Sequence, residues 1–452
     1  MPYTGDFPDP SVWFENGTYH AYATSTGGRY IPMLTSTDLT TWTARPAYEP
    51  DPYPDEVIDP AFNDALVAPA SWARPLGYNH PHVSTDVWAP GVVKIAETYL
   101  AFYSTLAAYG DPELRTPNRY CVSVATSASP LGPFVDNTNA PLVCDDDPGG
   151  SIDPDVFVDP ASGTAHLLWK SEGTRDAVPP RLWSRELDAS GLAFAPGSAA
   201  VQLLEAEQRW EFQIIENPSM VFHDGRYLLF YSAHYWQSRN YSIAVAECAG
   251  PLGPCARQRE GEWPLLLSRG DQNGPGGADA FVHEDGSLRL LYHAWNAPYT
   301  RYPSFPACAT TDTCAARGQR RLHTTVVDSD DDGLLTIGGP VELTVGYSTE
   351  DYALLADAAA AAEVTPEELQ EFGIYAMVFL TKLAGNDQRH EVVRPRPDVT
   401  GEVQVTTTFS AANRVILDWA ANHFVLSDVE TLKAGVTLQV FLRWLSQQPP
   451  AD

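Results

Sequence analysis

One phrase returns five times along the first three quarters of the chain. It opens on a Pro and a short apolar run, turns at Gly or Asp, and continues as alternating aromatic and small residues. The copies are DPSVWFENGTYHAYATS (Asp9–Ser25), APGVVKIAETYLAFYST (Ala89–Thr105), DPDVFVDPASGTAHLLWKS (Asp153–Ser171), NPSMVFHDGRYLLFYSA (Asn217–Ala233) and ADAFVHEDGSLRLLYHA (Ala278–Ala294), the last without the Pro. Aligned on positions 10, 90, 154, 218 and 279, they step by 80, 64, 64 and 61 residues. The residues before each turn and after it have strand composition, and N-G, D-G and S-G mark hairpin turns. Units of about 60 residues hold four strands each, and five such units arranged radially make a five-bladed β-propeller. A second repeat keeps the same phase: VSVATSASPLGPF (Val122–Phe134) and SIAVAECAGPLGPC (Ser242–Cys255) follow the second and fourth copies.

Past residue 351 the period changes. Thr365–Leu383 and Ser427–Leu445 each open on a capping residue followed by early acidic positions, and both read as helices, as does Asn413–Phe424. Gly401–Phe409 alternates like a strand. The expected organisation is an all-β, five-bladed propeller over residues 1–347 and a helical or α+β appendage over 351–452, to which the sequence assigns no function.

Charge narrows the partners. The 452 residues carry 58 acidic and 28 basic side chains, a formal charge of −30. Such a surface repels polyphosphates and anionic lipid, so neither a nucleic acid nor a membrane is expected as partner. Six cysteines lie in three close pairs, Cys121/Cys144, Cys248/Cys255 and Cys308/Cys314, with no C-x-x-C. Even number and local pairing predict three short-loop disulfides in a secreted or periplasmic protein. Met1–Thr4 shows neither a basic region nor an apolar stretch, so no signal peptide is visible.

Residues at the start of innermost propeller strands converge on the axis. Across the copies these are Asp9, Ala89, Asp153, Asn217 and Ala278, preceded by Pro8, Trp88, Ile152, Glu216 and Gly277. The apolar frame repeats while these positions diverge, as expected of a site on a scaffold. Three carboxylates, Asp9, Asp153 and Glu216, meet Trp88. Two carboxylates break a glycosidic bond as acid and base, and a third nearby tunes the acid by like-charge repulsion. A lone Asp-Pro is ordinarily a turn; position in the repeat raises Asp9 above that reading. Trp88 is equally a core aromatic, and Asp155, pointing the same way as Asp153 by alternation, is a rival for its role.

These segments resemble family 43 of the glycoside hydrolases over roughly residues 5–345. The resemblance rests on F-P-D-P-S-V followed by N-G-T-Y, S-T-D-L-T-T-W (Ser36–Trp42), D-V-W-A-P (Asp86–Pro90), S-I-D-P-D-V-F, I-E-N-P-S-M, G-P-G-G (Gly274–Gly277) and Y-H-A-W (Tyr292–Trp295). It implies a five-bladed propeller, Asp9 as general base, Asp153 as modulator and Glu216 as general acid. Asp86, Trp88 and His293 become the substrate-binding candidates. The chain departs at Gly277, where many members have His, and at Asn217, where Gly is usual. In some members an axial His holds water or a metal ion; a structural Ca2+ near His293 is the one cofactor envisaged, and none is required. The implied activity is inverting release of L-arabinofuranosyl residues from arabinan, arabinoxylan or oligosaccharides by a monomer. Alternatives are β-xylosidase or endo-arabinanase action, a retaining relative of the fructan-acting propellers, and a non-catalytic sugar-binding propeller. The loop Pro50–Val83 lengthens the first repeat step and is expected to wall the pocket.

Overall fold

The computed structural model describes residues 3–44, 64–76, 84–107, 119–144, 150–174, 177–258, 264–269, 271–302, 318–329, 333–337, 341–345 and 403–407. They form a five-bladed β-propeller. Blade one is β1 (Ser11–Glu15), β2 (Thr18–Tyr22), β3 (Met33–Ser36) and β4 (Thr43–Ala44). Blade two is β5 (Val87–Ile95), β6 (Thr98–Leu106) and β7 (Tyr120–Ser127), flanked by single bridges from Val135 and Val143 to β7. Blade three is β8 (Ser151–Val158), β9 (Ala165–Ser171), β10 (Arg181–Glu186) and β11 (Val201–Glu205). Blade four is β12 (Ile215–His223), β13 (Arg226–Ala233), β14 (Ser242–Cys248) and β15 (Cys255–Arg257). Blade five is β16 (Gln272–Val282), β17 (Leu288–Asn296), β18 (Arg320–Ser329) and β19 (Leu335–Ile337).

The hairpins form where the turn chemistry demands. Asn16-Gly17 and Asp224-Gly225 both take positive φ at the two central positions, the twist that suits a two-residue antiparallel connection. Both P-L-G-P phrases fold alike, with cis Gly132–Pro133 and Gly253–Pro254 after glycines at φ +73° and +71°.

Middle strands lie between neighbouring blades and are buried on both faces; every residue of β9, Lys170 included, is buried. Tyr22, Ile31, Met33, Val87, Tyr103 and Phe134 join blades one and two. Val93, Phe102, Leu167 and Trp169 join two and three. Leu168, Leu204, Ile215 and Tyr231 join three and four. Blade one holds only N-terminal strands, so ring closure rests on packing and a few hydrogen bonds. Phe7, Tyr19 and Leu34 pack on Leu291 and Leu322, the Phe7 N–H donates to the Arg320 carbonyl at 2.8 Å, and the Val12 N–H to Asp279 Oδ2 at 2.6 Å.

The fifth copy needs one correction. Its left-handed residue is Gly277, so Ala278 stands where the other copies have Pro, and Ala278 itself is not the counterpart of Asp9.

Cys121–Cys144 and Cys248–Cys255 are disulfides; the expected Cys308/Cys314 pair and most of the Pro50–Val83 loop lie outside the described residues. The chain divides into two units, residues 1–260 with 274–326 and residues 261–273 with 327–452. Within the second, β20 (Val341–Val345) pairs antiparallel with β21 (Val403–Thr407), so the strand expected at 401–409 is present. The expected helices fall outside the described residues. Among the described residues no helix is long and apolar enough to cross a membrane.

Candidate active site

Each inner strand carries, or is preceded by, a left-handed residue at the same place in the repeat: Asp9 (φ +49°), Ala89 (+43°), Asp153 (+55°), Asn217 (+49°) and Gly277 (+57°); β16 also carries Gly274 (+53°). Asp and Asn tolerate this region better than most side chains, and the following Pro fixes the next φ. In blades two to four the ladder skips these two residues, with register shifts at Trp88/Gly91, Ile152/Asp155 and Glu216/Ser219. The kink brings the left-handed residue of each blade to the cavity on the axis.

The kinked amides are capped by a regular device. Ala89, Asp153 and Gly277 donate to Thr24 Oγ1 (2.8 Å), Ser104 Oγ (3.0 Å) and Ser232 Oγ (2.8 Å), and Asp9 donates to His293 Nδ1 (3.0 Å). Each acceptor comes from the second-strand region of the preceding blade. At Asn217 that position is Lys170, which has no acceptor, and the Asn217 N–H turns to Asp153 Oδ2 at 3.0 Å instead. The swap ties Asp153 to the residue beside Glu216.

The mouth opens on a cavity of about 30 Å³ lined by five equivalent triplets, among them Asp9-Pro10-Ser11, Asp153-Pro154-Asp155 and Gly277-Ala278-Asp279. Asp9 Oδ2 accepts Thr24 Oγ1 at 2.7 Å, and Arg320 Nη1 lies 3.1 Å from each Asp9 oxygen. Burial works to raise the Asp9 pKa, but Arg320, with a smaller contribution from the Thr24 hydroxyl, holds it below the usual carboxylate value. Arg320 is itself fixed by Tyr302, whose hydroxyl accepts from Nε at 2.9 Å, and by the Trp236 ring at 4.8 Å. A Cβ on Gly277 would approach His293 Nδ1 to 2.7 Å and Asp9 Oδ1 to 2.8 Å, so glycine there leaves the room Asp9 occupies.

Asp153 is in the opposite state. Burial first, then the like charge of Glu216, push its pKa well above the ordinary value. Glu216 is gripped at both oxygens: Lys170 Nζ donates to Oε2 at 2.9 Å and the Tyr241 hydroxyl to Oε1 at 2.7 Å. Trp88 lies on Tyr120, ring centroids 3.9 Å apart and nearly parallel, and Tyr120 donates to Asp86 Oδ2 at 2.7 Å. Asp86 therefore orients the stack that presents Trp88. Asp155 sits one step deeper than Asp153, in a layer with Ser11, Ser219 and Asp279. Burial and Asp279 push Asp155 up to about 8.

Paired carboxylates on a propeller mouth are a glycosidase arrangement, and the comparisons agree. The family model described as Glycosyl hydrolases family 43 matches residues 62–314, more than half of the chain. The chain belongs to family 43 of the glycosyl hydrolases. A thermostable family-43 glycoside hydrolase of known structure is 25% identical, with a TM-score of 0.54, covering 74% of this chain and 94% of that one. An endo-1,4-β-xylanase of Bacteroides thetaiotaomicron (24% identity, TM-score 0.52, 74% and 95% covered) and an α-L-arabinanase of Cellvibrio cellulosa (17%, 0.50, 74% and 95%) share the fold. No curated protein matches.

For this family 43 enzyme, sequence reasoning missed Lys170, Tyr241 and Arg320. Lys170 had a signal: aligned copies read Thr24, Ser104, Lys170, Ser232 and His293 in one column, and the two that break the hydroxyl pattern face the site. Arg320 lies in a third strand that carries no repeated phrase.

Direct ligation of an axial calcium by His293 does not fit these residues. Burial keeps His293 neutral down to about pH 3. Its Nδ1 accepts from Asp9, so its proton sits on Nε2, which is then a donor with no lone pair for a metal. The 3.4 Å approach of Nδ1 to Asp9 Oδ1 is accordingly not an ion pair. Among the described residues no group of three or more His, Cys, Asp or Glu side chains is arranged to hold a metal.

Proposed function

We propose that this enzyme is an inverting, exo-acting glycosidase that releases L-arabinofuranosyl residues from plant polysaccharides or oligosaccharides. The reading is carried by one observation: two carboxylates on the same mouth stand in opposite electrostatic surroundings, Asp9 against the Arg320 guanidinium and Asp153 buried beside Glu216. Asp9, kept ionised by Arg320, accepts the proton of the attacking water. Asp153, whose ionisation is suppressed by burial and by Glu216, keeps a proton on the carboxyl pair. That proton leaves for the departing oxygen through Glu216, which is then the carboxylate that Lys170 and Tyr241 hold at its two oxygens. The half-buried Trp88 offers a flat apolar face to the sugar ring. The two disulfides fit an exported protein acting on a neutral polysaccharide.

A panel of aryl glycosides, arabinan and xylo-oligosaccharides, with the anomer of the first product followed by NMR, tests this. Turnover of α-L-arabinofuranosides with inversion supports it. Preference for β-xylosides replaces the sugar but keeps the mechanism; retention replaces the mechanism; binding without turnover, unchanged in Asp9→Asn, replaces the enzyme by a lectin-like propeller.

A further inference from the structure

Phe212 is held at two costs. Its φ is +53°, a backbone that disfavours bulky side chains, and its ring is 53% exposed. Gln213 (+60°) and His234 (+73°) share the left-handed region. The Phe212 ring stacks on His234, centroids 4.7 Å apart and 19° from parallel, and Tyr235, 45% exposed, follows directly. Folding alone would put such rings inside. Strain of this kind persists only where its surroundings over-determine it, and it gathers at ligand clamps.

The surroundings do over-determine it. The His234 N–H donates to the carbonyls of Glu211 (3.1 Å) and Ile214 (3.2 Å). Glu211 is fully buried, and its carboxylate accepts the amides of Glu207 and Gln208, Arg257 Nε at 2.7 Å and the Tyr231 hydroxyl at 2.9 Å. The Tyr235 N–H donates to His234 Nδ1 at 2.7 Å, which fixes the imidazole, and burial keeps that ring on the neutral side. The result is a rigid, uncharged aromatic shelf.

Its place names its occupant. Phe212 lies four residues before Glu216, and His234 follows Ala233, which pairs with Ile215. The shelf therefore borders the strand end that carries Glu216, in blade four, while Asp9 belongs to blade one. A general acid stands beside the oxygen that departs, so the glycan on its side is the leaving portion. We infer that the Phe212–His234 stack, with Tyr235, binds the leaving portion of the glycan chain, an uncharged sugar unit laid flat on the aromatic faces. This rests on the proposed role of Glu216 and extends it: the enzyme acts on chains longer than a disaccharide.

Two measurements test it. The first is the ratio of kcat/KM for α-1,5-linked arabinohexaose to that for arabinobiose, with the xylo-oligosaccharide ladder in parallel. In the wild type the ratio exceeds about tenfold, the worth of roughly 1.4 kcal/mol of stacking; in Phe212→Ala and Tyr235→Ala it falls toward one. Leu192→Ala, an equally exposed apolar change in the β10–β11 turn, leaves the ratio as it was. A wild-type ratio near one, or one unmoved by Phe212→Ala, overturns the shelf. The second is binding of arabinohexaose and xylohexaose to Asp9→Asn, with and without Phe212→Gly, by calorimetry. Glycine relieves the backbone strain, so Phe212→Gly raises the unfolding midpoint while weakening binding about tenfold or more, a pairing that a purely structural Phe212 does not give. Unchanged binding refutes the shelf even if no hydrolysis is seen, whereas lack of hydrolysis in the wild type refutes only the proposed reaction.

Discussion

Lys170 Nζ lies 2.9 Å from Glu216 Oε2 and 2.9 Å from Glu172 Oε2, on a side chain only 3% exposed. One buried cation thus serves two carboxylates, and the carboxylates of Glu172 and Glu216 keep it charged against the burial that would neutralise it. Removing one partner of a buried pair leaves the other charge stranded. Lys170→Met is expected to destabilise the fold by about 2–4 kcal/mol. With Glu216→Gln in the same chain, part of that loss returns, and a double-mutant cycle by urea unfolding gives a coupling of about 1–3 kcal/mol. Additive losses would remove the pair from the account.

With Asp9 as the proposed base, Arg320 sets the lower pH limit of catalysis. Asp9 works as a base only when ionised, so activity falls as pH drops through its pKa. Arg320 is the leading influence that lowers that pKa against burial. Arg320→Ala raises it, and the acidic limb of the kcat/KM profile moves to higher pH by about one unit or more. A limb that stays in place assigns it to another group.

In its proposed role as general acid, Glu216 is needed only where the leaving group needs a proton. Glu216→Ala is expected to lower kcat on natural glycosidic linkages by about 10²–10⁴-fold and to spare far more activity on aryl glycosides with acidic phenols. Equal losses on both substrates count against the role.

The deeper carboxylates make stability depend on pH. Asp155 is pushed up to about 8 and Asp279 to about 6, each mainly by burial. Both are raised above the unfolded value near 3.9, so the native state holds extra protons, and their contribution is complete below that value and lost as pH rises through about 6 and about 8. Unfolding free energy should fall between about pH 4 and about pH 8. Asp155→Asn keeps an acceptor for its neighbours and removes the proton, flattening the fall by about 1–3 kcal/mol. Parallel curves for the two proteins would show that the pair does not titrate in this range.

The repeat made the propeller legible because hairpin chemistry is local. V-x-F before N-G or D-G, and Y-x-x-F-Y after it, specify a strand, a turn and a strand without reference to the rest of the chain. Asp9, Asp153 and Glu216 were legible for the same reason, as divergent positions in a repeated frame. The register of the fifth copy was not, because without its Pro only the backbone shows that Gly277 takes the left-handed place. Arg320 was out of reach, since its link to Asp9 spans 311 positions and crosses the ring closure. Phe212 was equally silent: nothing in R-W-E-F-Q announces an exposed ring on strained backbone.

By itself, then, the sequence determined the number of blades, the hairpins within them and the three acidic candidates, all consequences of contacts close along the chain. The tertiary structure alone decided which carboxylate has its pKa lowered and which has it raised. Those shifts depend on desolvation and on charges brought in from other blades: Arg320 against Asp9, and Glu216 and Lys170 around Asp153. Coulombic influence follows distance in space and the local dielectric, and neither is written in the order of the residues.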